Sequence, residues 1–172
     1  MDKIMDVIKK GKCLVYSFGL SMDWSFERTM AAIGCTVRAF DPSSTKPDTV
    51  NHKNIHFYKI GIGHKTGKQK LRDLSGGGNA FELKTLEDIV TENGDLGRPI
   101  NYLKIDVEGS ELLAIPQWLE TPEILENIDQ IQIEIHTQVQ AGVFHIHSEG
   151  DLLRGTDKKT VRCKVLLVLR NR

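Results

Sequence analysis

Short apolar runs alternate along the chain with polar, glycine-containing segments, and each run is long enough for one buried strand. The run at Gln130–His136 alternates strictly, because isoleucine occupies positions 131, 133 and 135, and it therefore has one buried face. The strands predicted in this way are Cys13–Phe18, Cys35–Asp41, Ile55–Ile60, Asn101–Ile105, Gln130–His136 and Lys164–Leu169. Weaker patterns favour two further short strands, at Gln69–Leu71 and Val143–Ile146.

Helical spacing and helix-capping residues occur between these strands. Apolar residues repeat every three or four positions from 26 to 33, and Gly34 ends this first helix. Thr85 begins a second helix with a capping box and Gly94 ends it, while Pro116 is expected to break a third helical region. A short helix begins at Thr121. Alternating strands and helices predict a doubly wound, mostly parallel α/β sheet.

Length and composition favour a single domain at residues 1–172. Lys and Arg together number 23, as do Asp and Glu, so no net charge draws the chain to nucleic acid. Cys13, Cys35 and Cys163 are widely spaced, and we expect three reduced thiols in a reducing compartment. No signal peptide or membrane span is visible, so the default expectation is a cytoplasmic location. No metal site is predicted, and the pattern does not indicate an oligomeric state.

The stretch Asn101–Glu111 joins an apolar strand to three carboxylates around one glycine. Open α/β sheets bind ligands beyond the carboxyl ends of their strands, so Asp106, which closes the strand, is a candidate functional residue together with Glu108. Glu111 is interpreted as the start of the next helix, where an acid suits the helix dipole. A cluster of carboxylates needs a cation, a ligand or N–H donors as partners.

The unit that runs from Gly19 to Asp41 has the order of a nucleotide-binding frame: strand, turn, helix, strand and acid. Its turn holds one glycine instead of GxGxxG, which disfavours the close backbone approach that a pyrophosphate needs. A nicotinamide-dependent reductase is therefore a distant alternative, and no Walker-type phosphate loop is present. A nucleoside-like ligand without a phosphate chain fits better, and S-adenosylmethionine is the common one.

Three segments carry a family resemblance: Thr85–Val90, Tyr102–Glu111 (YLKIDVEGSE) and Ile131–His136. In this order they resemble the FkbM-type methyltransferases, and the segments at Cys13–Gly19 and Asp23–Glu27 look like the animal methyltransferase-like branch. The resemblance covers residues 13–137, and 138–172 is an atypical C-terminal segment whose strands are possible but incomplete. The resemblance implies a Rossmann-like class I fold. It also implies methyl transfer from S-adenosylmethionine to an oxygen of a small molecule or glycan.

The resemblance also implies roles for individual residues. Asp41 would bind the ribose hydroxyls, and Tyr16 and Ser17 stand where relatives often have an acid. The implied cofactor-binding residues are Ser17, Phe18, Gly19, Asp41, Gly61, Ile62, Gly63 and Asp106. Asp106, Glu108 and His136 are the candidate catalytic groups that would position or deprotonate the acceptor. A catalytically degenerate relative that serves as a binding or scaffold module is the alternative function.

Overall fold

The structure is a computed structural model, and it describes residues 8, 11–20, 23–44, 53–70, 79–107, 111–120, 123–137 and 164–171. The strands are β1 (Leu14–Phe18), β2 (Thr36–Phe40), β3 (Ile55–Tyr58), β4 (Gly61–Ile62), β5 (Gly67–Lys70), β6 (Ala80–Lys84), β7 (Tyr102–Ile105), β8 (Gln130–Thr137) and β9 (Lys164–Asn171). The helices are α1 (Ser25–Ala32), α2 (Leu86–Glu92), α3 (Glu111–Glu120) and α4 (Glu123–Glu126).

The main sheet has six strands in the order β3-β2-β1-β7-β8-β9, and every neighbouring pair is parallel. The chain moves outward from β1 to β3 and then returns to the other side of β1 as β7. The strand order therefore reverses between β1 and β7, which is where open α/β sheets place a ligand crevice. This arrangement confirms the predicted Rossmann-like α/β fold class.

The strands predicted from apolar runs agree with the structure within two residues at each end. At the C-terminus, β9 adds to the sheet beside β8, and it runs parallel to that strand from Lys164 to Asn171. The short strand predicted at Val143–Ile146 lies outside the described residues.

Two helices have characteristic residues at their ends, and a side-chain cap is present in α2. In α2, the Thr85 side chain accepts the backbone N–H of Asp88, as the capping box predicts, and Gly94 follows the helix with a φ of 69°. In α1, the Asp23 carboxylate accepts the N–H of Ser25, and Gly34 has a φ of 105° after the last turn.

The expected break at Pro116 is wrong, because α3 continues through this residue. A proline removes one backbone donor from the helix, a loss that packing can offset. Ala114 and Trp118, on either side of the proline, are both buried in the core and hold the helix there.

A second sheet of three strands, in the order β4-β6-β5, was only partly predicted. β5 at Gly67–Lys70 lies close to the expected edge strand, and it pairs antiparallel with β6. β6 at Ala80–Lys84 was missed, although Phe81 and Leu83 occupy alternate positions along it. Two apolar residues in a five-residue segment are a weak signal beside a glycine run.

The main sheet is packed on both faces. Alternate residues of β1 point to opposite sides, so Leu14, Tyr16 and Phe18 join the larger core with α2, α3 and α4. Val15 faces the other way and packs with Ala31 of α1 in a smaller core. A strand that is buried on both faces is apolar almost throughout, which is why β1 was predictable.

A disulfide between Cys13 and Cys35 corrects the expectation of three reduced thiols. The two residues lie side by side at the starts of adjacent parallel strands, with Cα atoms 4.6 Å apart, and both are buried. The spacing of 22 residues along the chain does not reveal this contact, because the strand register creates it.

A buried polar network centres on Asp95, in the loop that follows α2. Its Oδ2 accepts hydrogen bonds from the Tyr16 hydroxyl at 2.8 Å and from Arg38 Nε at 2.5 Å. Arg38 also donates to the Tyr58 hydroxyl and to the carbonyl of Asn93. The Asp95 network therefore ties β1, β2 and β3 to the loop on the larger-core face of the sheet.

Loss of the disulfide should destabilise the fold. Replacing both Cys13 and Cys35 by alanine should lower the free energy of unfolding by about 3 kcal/mol, because the bond restricts a loop of this length in the unfolded chain. Denaturant unfolding measures this change. In the wild-type protein, mass spectrometry should find both cysteines alkylated only after reduction. Alkylation of either one without reduction would contradict the pairing.

Asp95 should make stability depend on acidity. Burial alone would raise the pKa of Asp95, but hydrogen bonds from Arg38 and Tyr16 outweigh burial and hold this pKa below its ordinary value. The folded state therefore binds the proton less tightly than the unfolded state, whose aspartate pKa is about 3.9. The stabilisation is present at neutral pH, and it is lost as pH falls below about 4 through the folded-state pKa.

The variant Asp95→Asn should thus lose about 3 kcal/mol at pH 7, since a buried charge pair loses one partner. The difference from wild type should narrow as the pH of the unfolding experiment is lowered from about 5 towards the folded-state pKa. If the difference in the free energy of unfolding between wild type and Asp95→Asn stayed constant across this pH range, the lowered pKa assigned to Asp95 would be wrong.

Candidate functional site

The carboxyl ends of β1, β2 and β7 meet at the turn that follows β1. The Gly19 N–H donates to the Phe40 carbonyl of β2 at 3.0 Å. On the other side, the N–H of Asp106, directly after β7, donates to the Phe18 carbonyl at 3.0 Å. These two bonds extend the parallel pairing by one residue beyond the strands and hold the turn between its neighbours.

Gly19 is required by the chain's own backbone. Its φ is +80°, which side-chain-bearing residues rarely adopt. A Cβ atom at this position would lie 1.6 Å from the carbonyl oxygen of Asp106. Lys104 Nζ donates to the Gly19 carbonyl at 2.9 Å on the same turn. The group that approaches Gly19 closely in the described structure is the backbone of Asp106, directly after β7.

Asp41 is buried, and its carboxylate accepts hydrogen bonds from the chain on both sides. Oδ2 accepts the Leu20 N–H at 3.0 Å, across the turn from β2. Oδ1 accepts the N–H of Ser43 at 2.8 Å, the hydroxyl of the same serine at 2.7 Å and the N–H of Ser44 at 3.0 Å. Four hydrogen bonds thus engage the carboxylate, and three of them fall on Oδ1. Asp41 therefore holds the turn that follows β1 against the end of β2.

Ser17 and Phe18 point to opposite faces of β1, and both side chains are buried. The Phe18 ring stacks on Phe40, with centroids 4.5 Å apart, so this side chain belongs to the core. The Ser17 hydroxyl donates to Oε1 of Glu27 in α1 at 2.5 Å. Only the backbone of Phe18 is close to the turn, whereas Ser17 connects the turn to a helix carboxylate.

Gly61, Ile62 and Gly63 lie in and after β4, next to the Asp41 loop, and all three are buried. A Cβ atom on Gly61 would lie 2.6 Å from a Leu83 methyl group and 2.9 Å from the Pro42 ring. Gly61 is thus needed for packing between the second sheet and the residue after Asp41.

Asp106 is partly exposed and directly follows β7, beside the turn that holds Gly19. Glu108 lies outside the described residues, and His136 is described only as a backbone position in β8. The structure brings Gly19, Asp41 and Asp106 to one edge of the sheet. The roles assigned to all these residues stay predictions.

Two residues near the turn were not predicted as site residues. Glu27 is fully buried in the first turn of α1, and the available signal was an acid within an otherwise apolar helix face. Lys104 lies beside Ser17 in the strand register and directs its ammonium group to the turn. Lys104 belongs to the YLKIDVEGSE segment, where its lone positive charge beside Asp106 was the signal.

No helix in the described part of the chain is long and apolar enough to cross a membrane. Among the same residues, no group of three or more His, Cys, Asp or Glu side chains is arranged to hold a metal ion.

Replacement of Gly19 by alanine tests how tightly the turn is closed. Gly19→Ala should lower the free energy of unfolding by more than about 4 kcal/mol or prevent folding, because it combines a strained φ with overlap against a backbone carbonyl. Gly94→Ala is the matched control, since Gly94 has a φ of +69° but no atom within 4 Å of the added Cβ. Gly94→Ala should lower the free energy of unfolding by about 1–2 kcal/mol. If denaturant unfolding showed the same loss of stability for both variants, backbone strain alone would account for the effect of Gly19→Ala.

Comparison with known proteins agrees with this architecture. Residues 2–154 match the family described as "Methyltransferase domain". The chain is 29% identical over 156 residues to human "Probable methyltransferase-like protein 24", covering 90% of this chain and 38% of that protein. For the rat protein of the same name the identity is 28%, with 90% and 39% covered. The chain thus spans about two fifths of the length of these relatives.

No solved structure matches significantly. The family match covers most of the chain, which therefore belongs to the methyltransferase domain family.

Proposed function

We propose that this chain transfers a methyl group from S-adenosylmethionine to a hydroxyl group of a small molecule or glycan, as the FkbM-type resemblance implies. Family membership supports methyl transfer. The observation that carries the proposal is the convergence of Gly19, Asp41 and Asp106 where the strand order reverses. Ligands of open α/β sheets bind at this position. Because the relatives are longer, the activity and partners of a whole protein are part of the proposal.

The cofactor supplies an electrophilic methyl group on a sulfonium sulfur. The residues have two tasks: they hold the acceptor oxygen in line with that methyl group, and they take the hydroxyl proton as the new oxygen–carbon bond forms. The place of Asp106 directly after β7 supports its assignment to either task. Glu108 and His136 are proposed for the same two tasks.

The proposed ribose contact at Asp41 requires an exchange of hydrogen bonds. Three donors to its carboxylate are backbone N–H groups of the turn and of the loop after β2. The fourth is the Ser43 hydroxyl, which can rotate away. A ribose hydroxyl that replaced the Ser43 hydroxyl would make an equivalent bond, so a ribose contact at Asp41 would not require loss of the bonds that hold the turn.

A non-catalytic binding or scaffold module is the second candidate, and the same geometry favours it. Gly19 and Asp41, two central cofactor-binding predictions, are both engaged by the chain itself. If these contacts never open, the fold keeps its architecture without binding a nucleoside. Cofactor binding distinguishes the two candidates.

The location of the chain is also a proposal. The default expectation was the cytoplasm, but the disulfide between Cys13 and Cys35 weighs against a reducing compartment. We therefore favour an oxidising compartment as the place where the chain folds.

Thermal unfolding with S-adenosylhomocysteine tests the function. For a methyltransferase, ligand at about 100 times its Kd should stabilise the protein by about 2.7 kcal/mol, a rise in Tm of several degrees. ATP and NADH are the controls, and neither should raise Tm, because the turn lacks a phosphate-binding glycine pattern. A rise with NADH alone would favour a reductase. No rise with any of the three ligands would favour the non-catalytic module.

A further inference from the structure

Glu27 is a buried carboxylate that is only half satisfied. Its side chain is 0% exposed, and Oε1 accepts the Ser17 hydroxyl at 2.5 Å. Oε2 is buried and has no hydrogen-bond partner among the described residues. A buried hydrogen-bond acceptor without a donor is unfavourable, and most buried acceptors in folded proteins have a donor. This oxygen therefore indicates a donor that binds from outside the described chain.

The hydrogen bond to Ser17 places the Glu27 carboxylate close to the candidate site. Ser17 lies two residues before Gly19 and faces α1, so its bond to Glu27 holds the carboxylate near the turn. Lys104 lies beside Ser17 in the register, but its ammonium group donates to the Gly19 carbonyl. The Glu27 carboxylate thus lies on the helix side of β1, at a residue two positions before Gly19.

An ammonium group is the donor that best suits a buried carboxylate. Charge-assisted hydrogen bonds are about twice as strong as neutral ones, and an ammonium group also balances the buried charge. The Ser17–Glu27 bond brings a carboxylate from α1 to the end of β1.

We propose that Glu27 accepts the α-ammonium group of S-adenosylmethionine and so binds the amino-acid end of the cofactor. This assignment rests on the proposed function. A purely structural acid, held by Ser17 alone, is the competing explanation. The two explanations differ in whether the cofactor's amino group contributes to its affinity for the protein.

Isothermal titration of wild type and Glu27→Gln with two ligands tests the assignment. Glutamine keeps the side-chain size and can still bond to Ser17. S-adenosylhomocysteine should bind the variant about 10- to 100-fold more weakly, because a charge-assisted bond is lost. 5′-Methylthioadenosine lacks the amino-acid end, and its affinity should not change. Glu87→Gln is the matched control, an exposed acid in the first turn of α2, and it should leave both affinities unchanged.

Equal affinity of wild type and Glu27→Gln for S-adenosylhomocysteine would overturn the assignment while leaving the proposed function in place. Binding of neither nucleoside by wild type would overturn both. A further measurement needs only the wild-type protein, in case the variant does not fold. The analogue of S-adenosylhomocysteine with hydrogen in place of the α-amino group should bind at least 10-fold more weakly than the parent, and equal binding would also overturn the assignment.

Discussion

Backbone hydrogen bonds hold the end of β1 between β2 and β7, and the rest of the site depends on this constraint. The bonds from Gly19 to Phe40 and from Asp106 to Phe18 bring three strand ends together within one turn. Any side chain at position 19 would overlap the Asp106 carbonyl. Position 19 therefore requires glycine, because the backbone of Asp106, directly after β7, approaches it closely. The acids that follow β2 and β7, Asp41 and Asp106, lie on either side of this turn.

The strands that carry this constraint could be predicted because both of their faces are buried. Burial on two faces makes β1 a nearly unbroken apolar run, and the local capping signal at Thr85 likewise identified α2. Features that depend on register could not be predicted. The pairing of Cys13 with Cys35 and the missed strand β6 arise from neighbours that are distant in sequence.

The candidate site shows the same division. Its position followed from acids and a glycine at strand ends, together with the family resemblance. Its contacts did not follow, because they depend on three-dimensional neighbours. The bonds that Asp41 accepts from Leu20 and Ser44 appear only when the turn and the loop are placed together. Glu27 was overlooked because its one sign of burial, a place on an otherwise apolar helix face, is a weak signal in the sequence.

The two buried carboxylates beside the turn differ in what a ligand can add. Asp41 already accepts four hydrogen bonds, so a ribose hydroxyl there exchanges one bond for another with little net gain. Glu27 has an unsatisfied oxygen, so a donor there relieves an existing penalty and gains a new bond. Free energy of binding arises where the free protein is least satisfied. Under the proposed assignment, this site therefore selects its cofactor mainly through the amino-acid end, while the ribose contributes to position.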